Sequence, residues 1–180
     1  MTEHVVVVGY GNVLRCDDGV GRHAAERLVD DPRMDGVEVL QRHQLTPELA
    51  LDISAASLVV LIDASSRLGP GEVRVDRVEP AVDDGPSGSH HLTPATLVAL
   101  SHALYGRAAD VFVVSCGVQS LEVGEHLSPV VDAALPRLVD AVTGLVESRA
   151  RLRPCPKSEQ GAETSDGPPG MRAARSEPNT

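Results

Sequence analysis

Tryptophan is missing from these 180 residues, and one phenylalanine and two tyrosines are the only aromatic side chains. With so few flat rings the chain cannot offer the stacking platform that single-stranded nucleic acid needs, and its core must be built from Val, Leu, Ile and Ala. Positive charge is scarce too: 16 Lys and Arg stand against 26 Asp and Glu, a net charge of -10. That balance excludes the concentrated basic face of a nucleic-acid binder. No apolar stretch is long enough to cross a bilayer, and residues 1 to 4 carry neither the charged start nor the apolar core of a signal peptide. The expectation is a cytoplasmic chain with no membrane partner. Cysteine is sparse and odd in number: Cys16, Cys116 and Cys155 form no C-x-x-C pair, which argues against a disulfide framework and a structural zinc site. They are expected to be reduced thiols.

What is present is a repeated alternation. Residues 5 to 8 read VVVV, an all-apolar, β-branched run of the kind buried on both faces of a sheet, and related runs follow at 37 to 40, 58 to 63 and 111 to 116. Between them apolar residues fall at helical spacing: Val20, Ala24 and Leu28; Leu97, Leu100 and Leu104; Val131, Leu135, Leu138, Val142 and Leu145. Strands alternating with helices predict an α/β fold of three layers, a twisted and mainly parallel sheet flanked by helices on both faces. EVRVDRV at 72 to 78 alternates and predicts one more strand near an edge. LTP at 45 to 47, LTP at 92 to 94 and LSP at 127 to 129 each place a hydroxyl N-cap before a proline, the signal that opens a helix. Pro136 sits inside the last helical pattern and is expected to kink or interrupt it.

Residues 1 to 148 read as one domain. From 149 to 180 periodicity vanishes, Pro, Gly and polar residues dominate, and six Lys or Arg face four acids. A disordered tail is expected there. Nothing in the pattern calls for an oligomer, so a monomer is expected.

The first strand runs into GYGNVLRCDDGVG at 9 to 21. A glycine-rich turn at that place suggests a dinucleotide site, yet Leu14 stands where the third glycine of G-x-G-x-x-G belongs, and no G-K-[ST] follows for a phosphate loop. Asp17 and Asp18 also occupy the helix start that would have to greet an anion. Either aspartate alone reads as helix capping and dipole compensation. The other strand ends change the balance. In a parallel sheet, functional groups gather beyond the carboxyl ends of the strands. LVVLID ends on Asp63, and GPSGSHHL delivers His90 and His91 just before a helix. Two carboxylates and an imidazole there would suit a divalent transition metal such as nickel, zinc or manganese, although a strand-end aspartate also serves simply as a cap. Cys16 reads as a small turn residue and Cys116 as core. His43 and Gln44 flank the same sheet end, either as an ordinary loop or as substrate contacts.

These residues resemble the hydrogenase maturation endopeptidases, which finish nickel-iron hydrogenases. The likeness spans most of residues 5 to 147. G-x-G-N-x-L-x-x-D-[DE]-G-x-G is met by Gly9, Gly11, Asn12, Leu14, Asp17, Asp18, Gly19 and Gly21; the strand ending in D-A by Asp63 and Ala64; the S-H before a helix by Ser89 and His90; and a late block by GVQSLEVGEHLSP at 117 to 129. The resemblance implies an endopeptidase that removes a C-terminal peptide from the nickel-loaded precursor of a [NiFe]-hydrogenase large subunit. It implies a metal-contacting, catalytic triad of Asp18, Asp63 and His90, with nickel supplied by the substrate. The chain departs from a common family pattern in lacking a glycine-threonine turn after the second strand. Its RHQLTPEL at 42 to 49 is similar to proteases of soluble, NAD-coupled hydrogenases. Two other readings stay open: an accessory protein that recognises a nickel protein without cutting it, and, on Gly9 and Gly11 alone, a nucleotide-binding oxidoreductase.

Overall fold

The computed structural model describes residues 4–81 and 92–151. Strands β1 (Val5–Tyr10), β2 (Glu38–Arg42), β3 (Leu58–Ser65), β4 (Val73–Arg77) and β5 (Asp110–Gly117) form one sheet in the order β2-β1-β3-β5-β4. All neighbours are parallel except β4, which pairs antiparallel with β5 at the edge. The alternating EVRVDRV segment is therefore the edge strand its pattern predicts. Helices α1 (Val20–Val29), α2 (Leu49–Ala55), α3 (Pro94–Tyr105) and α4 (Pro129–Arg151) complete the described elements, with short 3₁₀ turns at Cys16–Gly19 and Pro32–Met34.

The period of two in the strands sorts their side chains between two cores. Val5 and Val7 of β1, with Leu58, Val60 and Ile62 of β3, pack against Val20, Ala24 and Leu28 of α1 and the apolar stripe of α4. Val6, Val8 and Tyr10, with Val59 and Leu61, face α2 and α3 through Leu49, Ile53, Leu97 and Val98. β1 and β3 lie inside the sheet and bury both faces, which is why their sequences run apolar without a break. The three-layer α/β fold expected from the sequence is what forms.

The helix starts respond differently to their shared signal. Thr93 caps α3 as expected, accepting from the Thr96 amide at 3.1 Å ahead of Pro94. At LTP 45 to 47 the helix begins only at Leu49, because the chain first closes tight turns from the Leu49 amide to the Thr46 carbonyl and from Ala50 to Pro47. α4 runs unbroken through Pro136 to Arg151. The expected interruption does not occur: the helix buries eight side chains along its length, and that packing outweighs one missing amide. Its end lies beyond residue 148, and Arg149 donates to Asp110 at 3.1 Å.

Glycines set how closely α1 crosses β1. A Cβ on Gly9 would overlap the Gly21 carbonyl oxygen, and one on Gly21 would overlap the carbonyl oxygens of Ile62 and Tyr10. Helix and strand thus meet backbone to backbone. The close packing that a dinucleotide fold obtains from its third glycine is supplied here by Gly21, seven positions after Leu14. Gly21→Ala has only backbone to push against and is expected to cost about 3 kcal/mol or more. Urea unfolding of the purified variant, or its loss from the soluble fraction, is the check.

Candidate functional site

The chain leaves β1 for α1 and β2 on one side, then returns to place β3 on the other. This is a topological switch point, and a crevice opens beyond the carboxyl ends of the two strands. A cleft of about 500 Å³ lies there, and Tyr10, Asn12, Asp18, His43, Gln44 and Asp63 are among its lining residues. Asp18 and Asp63, predicted together from separate strand ends, do meet. His43 and Gln44 line the same cleft. His90 and His91 fall outside the described residues, but Leu92 and Thr93, directly after them, also line it. Among the described residues no three His, Cys, Asp or Glu side chains are grouped so as to hold a metal ion; Asp18 and Asp63 bring two carboxylates to the cleft. A larger depression of about 740 Å³ lies between α1 and the start of α4. Neither Asp18 nor Asp63 lines it, so chemistry favours the smaller cleft.

The two neighbouring aspartates of the first turn have separate tasks. Asp18 is partly exposed, and one of its oxygens accepts the Asn12 amide at 3.0 Å, which fixes the carboxylate at the cleft wall. Asn12 in turn accepts from the Leu14 amide at 3.0 Å. Asp17 is fully buried. Its carboxylate accepts the amides of Gln119 and Ser120, each at 2.8 Å, the Ser128 amide at 2.6 Å and the Ser128 hydroxyl at 2.8 Å. Burial pushes its pKa up, but the amides of Ser128, Ser120 and Gln119 and the Ser128 hydroxyl outweigh it and hold the carboxyl below its usual range. Sequence reasoning treated the two aspartates alike and missed this. Ser128 supplied the available clue: read as the N-cap of α4, it gives both its hydroxyl and its amide to Asp17 across the fold.

Asp63 lies within β3, opposite Ser115 of β5. Burial raises its carboxyl to about 6, against the lowering effect of the Tyr10 hydroxyl and the Ala64 amide, and the nearby Asp18 charge adds to the rise. Tyr10 is only 9% exposed. Burial first, then the Asp63 charge, push its phenol well above the ordinary value, so it remains a neutral donor beside Asp63. Tyr10 is a neighbour of Asp63 that the sequence analysis overlooked, because it fills the unspecified position between Gly9 and Gly11.

Cys16 adopts a left-handed conformation, φ 45°, which a non-glycine residue takes at a cost. Its amide donates to the Gly124 carbonyl at 2.8 Å, consistent with a small turn residue. Cys116 is fully buried in the core, as expected.

No protein-family profile and no curated protein matches the chain. Solved structures do. The hydrogenase maturating endopeptidase HybD from E. coli is 27% identical, with a TM-score of 0.68, over 81% of this chain and 93% of that one. The [NiFe] hydrogenase maturation protease HybD from Thermococcus kodakarensis is 26% identical, with a TM-score of 0.61, over 79% and 98%. The chain is similar to hydrogenase maturation endopeptidases in fold and, at 26 to 27% identity, in sequence. A family member from Thermococcus kodakarensis KOD1, the maturation protease HycI, shares the fold at 23% identity, with a TM-score of 0.64 over 80% and 92%. The first turn of this chain thus carries one structural aspartate, Asp17, and one at the cleft, Asp18.

Asp17→Asn would turn an NH2 donor towards a row of donors, and is expected to cost about 3 kcal/mol in denaturant unfolding at pH 7. Because the folded-state pKa of Asp17 is depressed, its stabilisation is complete above the unfolded value of about 4 and is lost as pH falls through the folded value. Between pH 5 and 3 the wild type should therefore lose more stability than Asp17→Asn, and paired urea titrations across that range test it.

Proposed function

We propose that this chain is the endopeptidase that removes the C-terminal peptide from the nickel-loaded precursor of a [NiFe]-hydrogenase large subunit, acting in the cytoplasm. The observation that carries the reading is the meeting of Asp18 and Asp63 in one cleft at the switch point, in a chain 27% identical to a hydrogenase maturating endopeptidase over most of its length. Nickel is part of the substrate in this scheme. Asp18 and Asp63 offer hard oxygen donors to it, and His90 supplies the nitrogen that completes an O,O,N set. The lining position of Leu92, two residues on, supports that assignment. A divalent ion held there can polarise a carbonyl and lower the pKa of an attacking water.

The chain's own residues prepare this step. The Asn12 amide occupies one oxygen of Asp18 and turns the carboxylate to the cleft. Tyr10 does the corresponding work at Asp63, donating from a hydroxyl that burial keeps neutral. His43 and Gln44 line the same cleft and would contact the polypeptide beside the bond to be cut.

The direct test is intact-mass spectrometry of a nickel-loaded precursor with and without the protein, beside a nickel-free control. Loss of a C-terminal peptide in the loaded sample alone is expected. An unchanged mass with a properly loaded cognate precursor would favour a protein that recognises nickel without cutting. Asp18→Ala, Asp63→Ala and His90→Ala should each slow processing about 100-fold or more, with thermal unfolding close to the wild type. Asp63 must be ionised to act as a ligand, and its carboxyl sits at about 6. Cleavage rates should then fall roughly tenfold per pH unit below that value, and a rate profile from pH 5 to 8 with a fixed precursor reads the effect.

A further inference from the structure

Three apolar side chains stand out beside the cleft. Leu14 is 55% exposed, Leu121 38% and Val123 92%. Single exposed apolar residues are commonplace, but these come from two segments fixed to one another. The Cys16 amide donates to the Gly124 carbonyl at 2.8 Å and the Gly124 amide to the Leu14 carbonyl at 3.0 Å, forming a parallel bridge between Arg15 and Gly124. In a parallel pair, side chains at matching positions share a face. Leu14 and Val123 each precede a bridged residue, so they stand side by side. Arg15 ties in the third: its Nε and Nη2 donate to the Leu121 carbonyl at 3.2 and 3.0 Å.

The patch is continuous with the cleft, because Arg15 also lines it. None of the three apolar residues packs in either core cluster, so folding does not require them to be apolar. Segments already held by backbone bonds lose little freedom when something settles on them. Asp17 fixes the same loop through the amides of Gln119 and Ser120. The surface is preorganised, apolar and joined to a cleft that takes a polypeptide.

We propose that Leu14, Leu121 and Val123, with Arg15 between them and the cleft, dock an apolar segment of the polypeptide substrate. The inference rests on the endopeptidase reading and names a binding surface beyond its metal-contacting residues. A polypeptide lying in the cleft must leave across the rim, and on the Arg15 side it meets apolar side chains. The Arg15 guanidinium has five donors, enough to hold Leu121 and still meet a carbonyl of the docked chain.

Biolayer interferometry with the nickel-loaded precursor tests the patch, using the full chain and Leu14→Asp, Val123→Asp and the milder Val123→Ser. Leu104→Asp, at a 61% exposed leucine near the end of α3, is the control. Each aspartate on the patch should weaken affinity about tenfold, serine should weaken it less, and the control should not change it. Thermal midpoints should stay level, since all these positions are exposed. Unchanged affinity in the patch variants, with the wild type binding and cutting, overturns the docking surface alone. A wild type that binds but does not cut, with binding still lost in the variants, overturns the endopeptidase reading and leaves the surface standing. Should the wild type neither bind nor cut, both fall. If sedimentation shows wild-type self-association that the patch variants abolish, the surface joins two copies and the proposal is overturned.

Discussion

The buried carboxylate of Asp17 gathers three amides and a hydroxyl from a loop more than a hundred residues away along the chain. A charge buried in that way is tolerable only when it is saturated with donors. The loop from Gly117 to Ser128 supplies them, and it is held in place by doing so. Through this contact the first turn, the late loop and the start of α4 become one rigid unit. The Asp18 wall of the cleft and the apolar rim at Leu14 and Val123 both depend on that unit.

Electrostatics then separates the carboxylates by function. Asp17 and Asp18 are adjacent in sequence, yet one is fully buried and surrounded by donors while the other keeps an open side toward the cleft. Asp17 is held below the usual carboxylate range and Asp63 is raised to about 6. Carboxyl groups driven apart in this manner take different roles. Asp17 remains a fixed anion that organises backbone, whereas Asp63 is poised where it gains and loses its proton at about pH 6. Tyr10, neutral beside it, steadies the carboxylate.

Much of the architecture was legible because periodicity reports burial. The runs at 5 to 8 and 58 to 63 became β1 and β3, and the alternating segment at 72 to 78 became the edge strand β4. The meeting of Asp18 and Asp63 was legible because strand ends converge at a switch point. What escaped was long-range. Nothing near Asp17 announces that its partners are Gln119, Ser120 and Ser128. Pro136 argued for a break that the burial of α4 on both sides of it overrode. Tyr10 filled an unspecified position between two glycines, and only the neighbouring strand reveals that its hydroxyl meets Asp63. Each miss concerns a side chain whose partner is set by the fold and not by its sequence neighbours.

The 111-residue separation between Asp17 and Ser128 also orders events during synthesis. Contacts so distant in sequence form late, since a long loop must close first. A chain emerging from the ribosome carries Asp18 and Asp63 well before it carries Ser128. Until that serine arrives, Asp17 lacks two of its four donated bonds. The carboxylate that organises the cleft wall is therefore saturated only when most of the domain has been made.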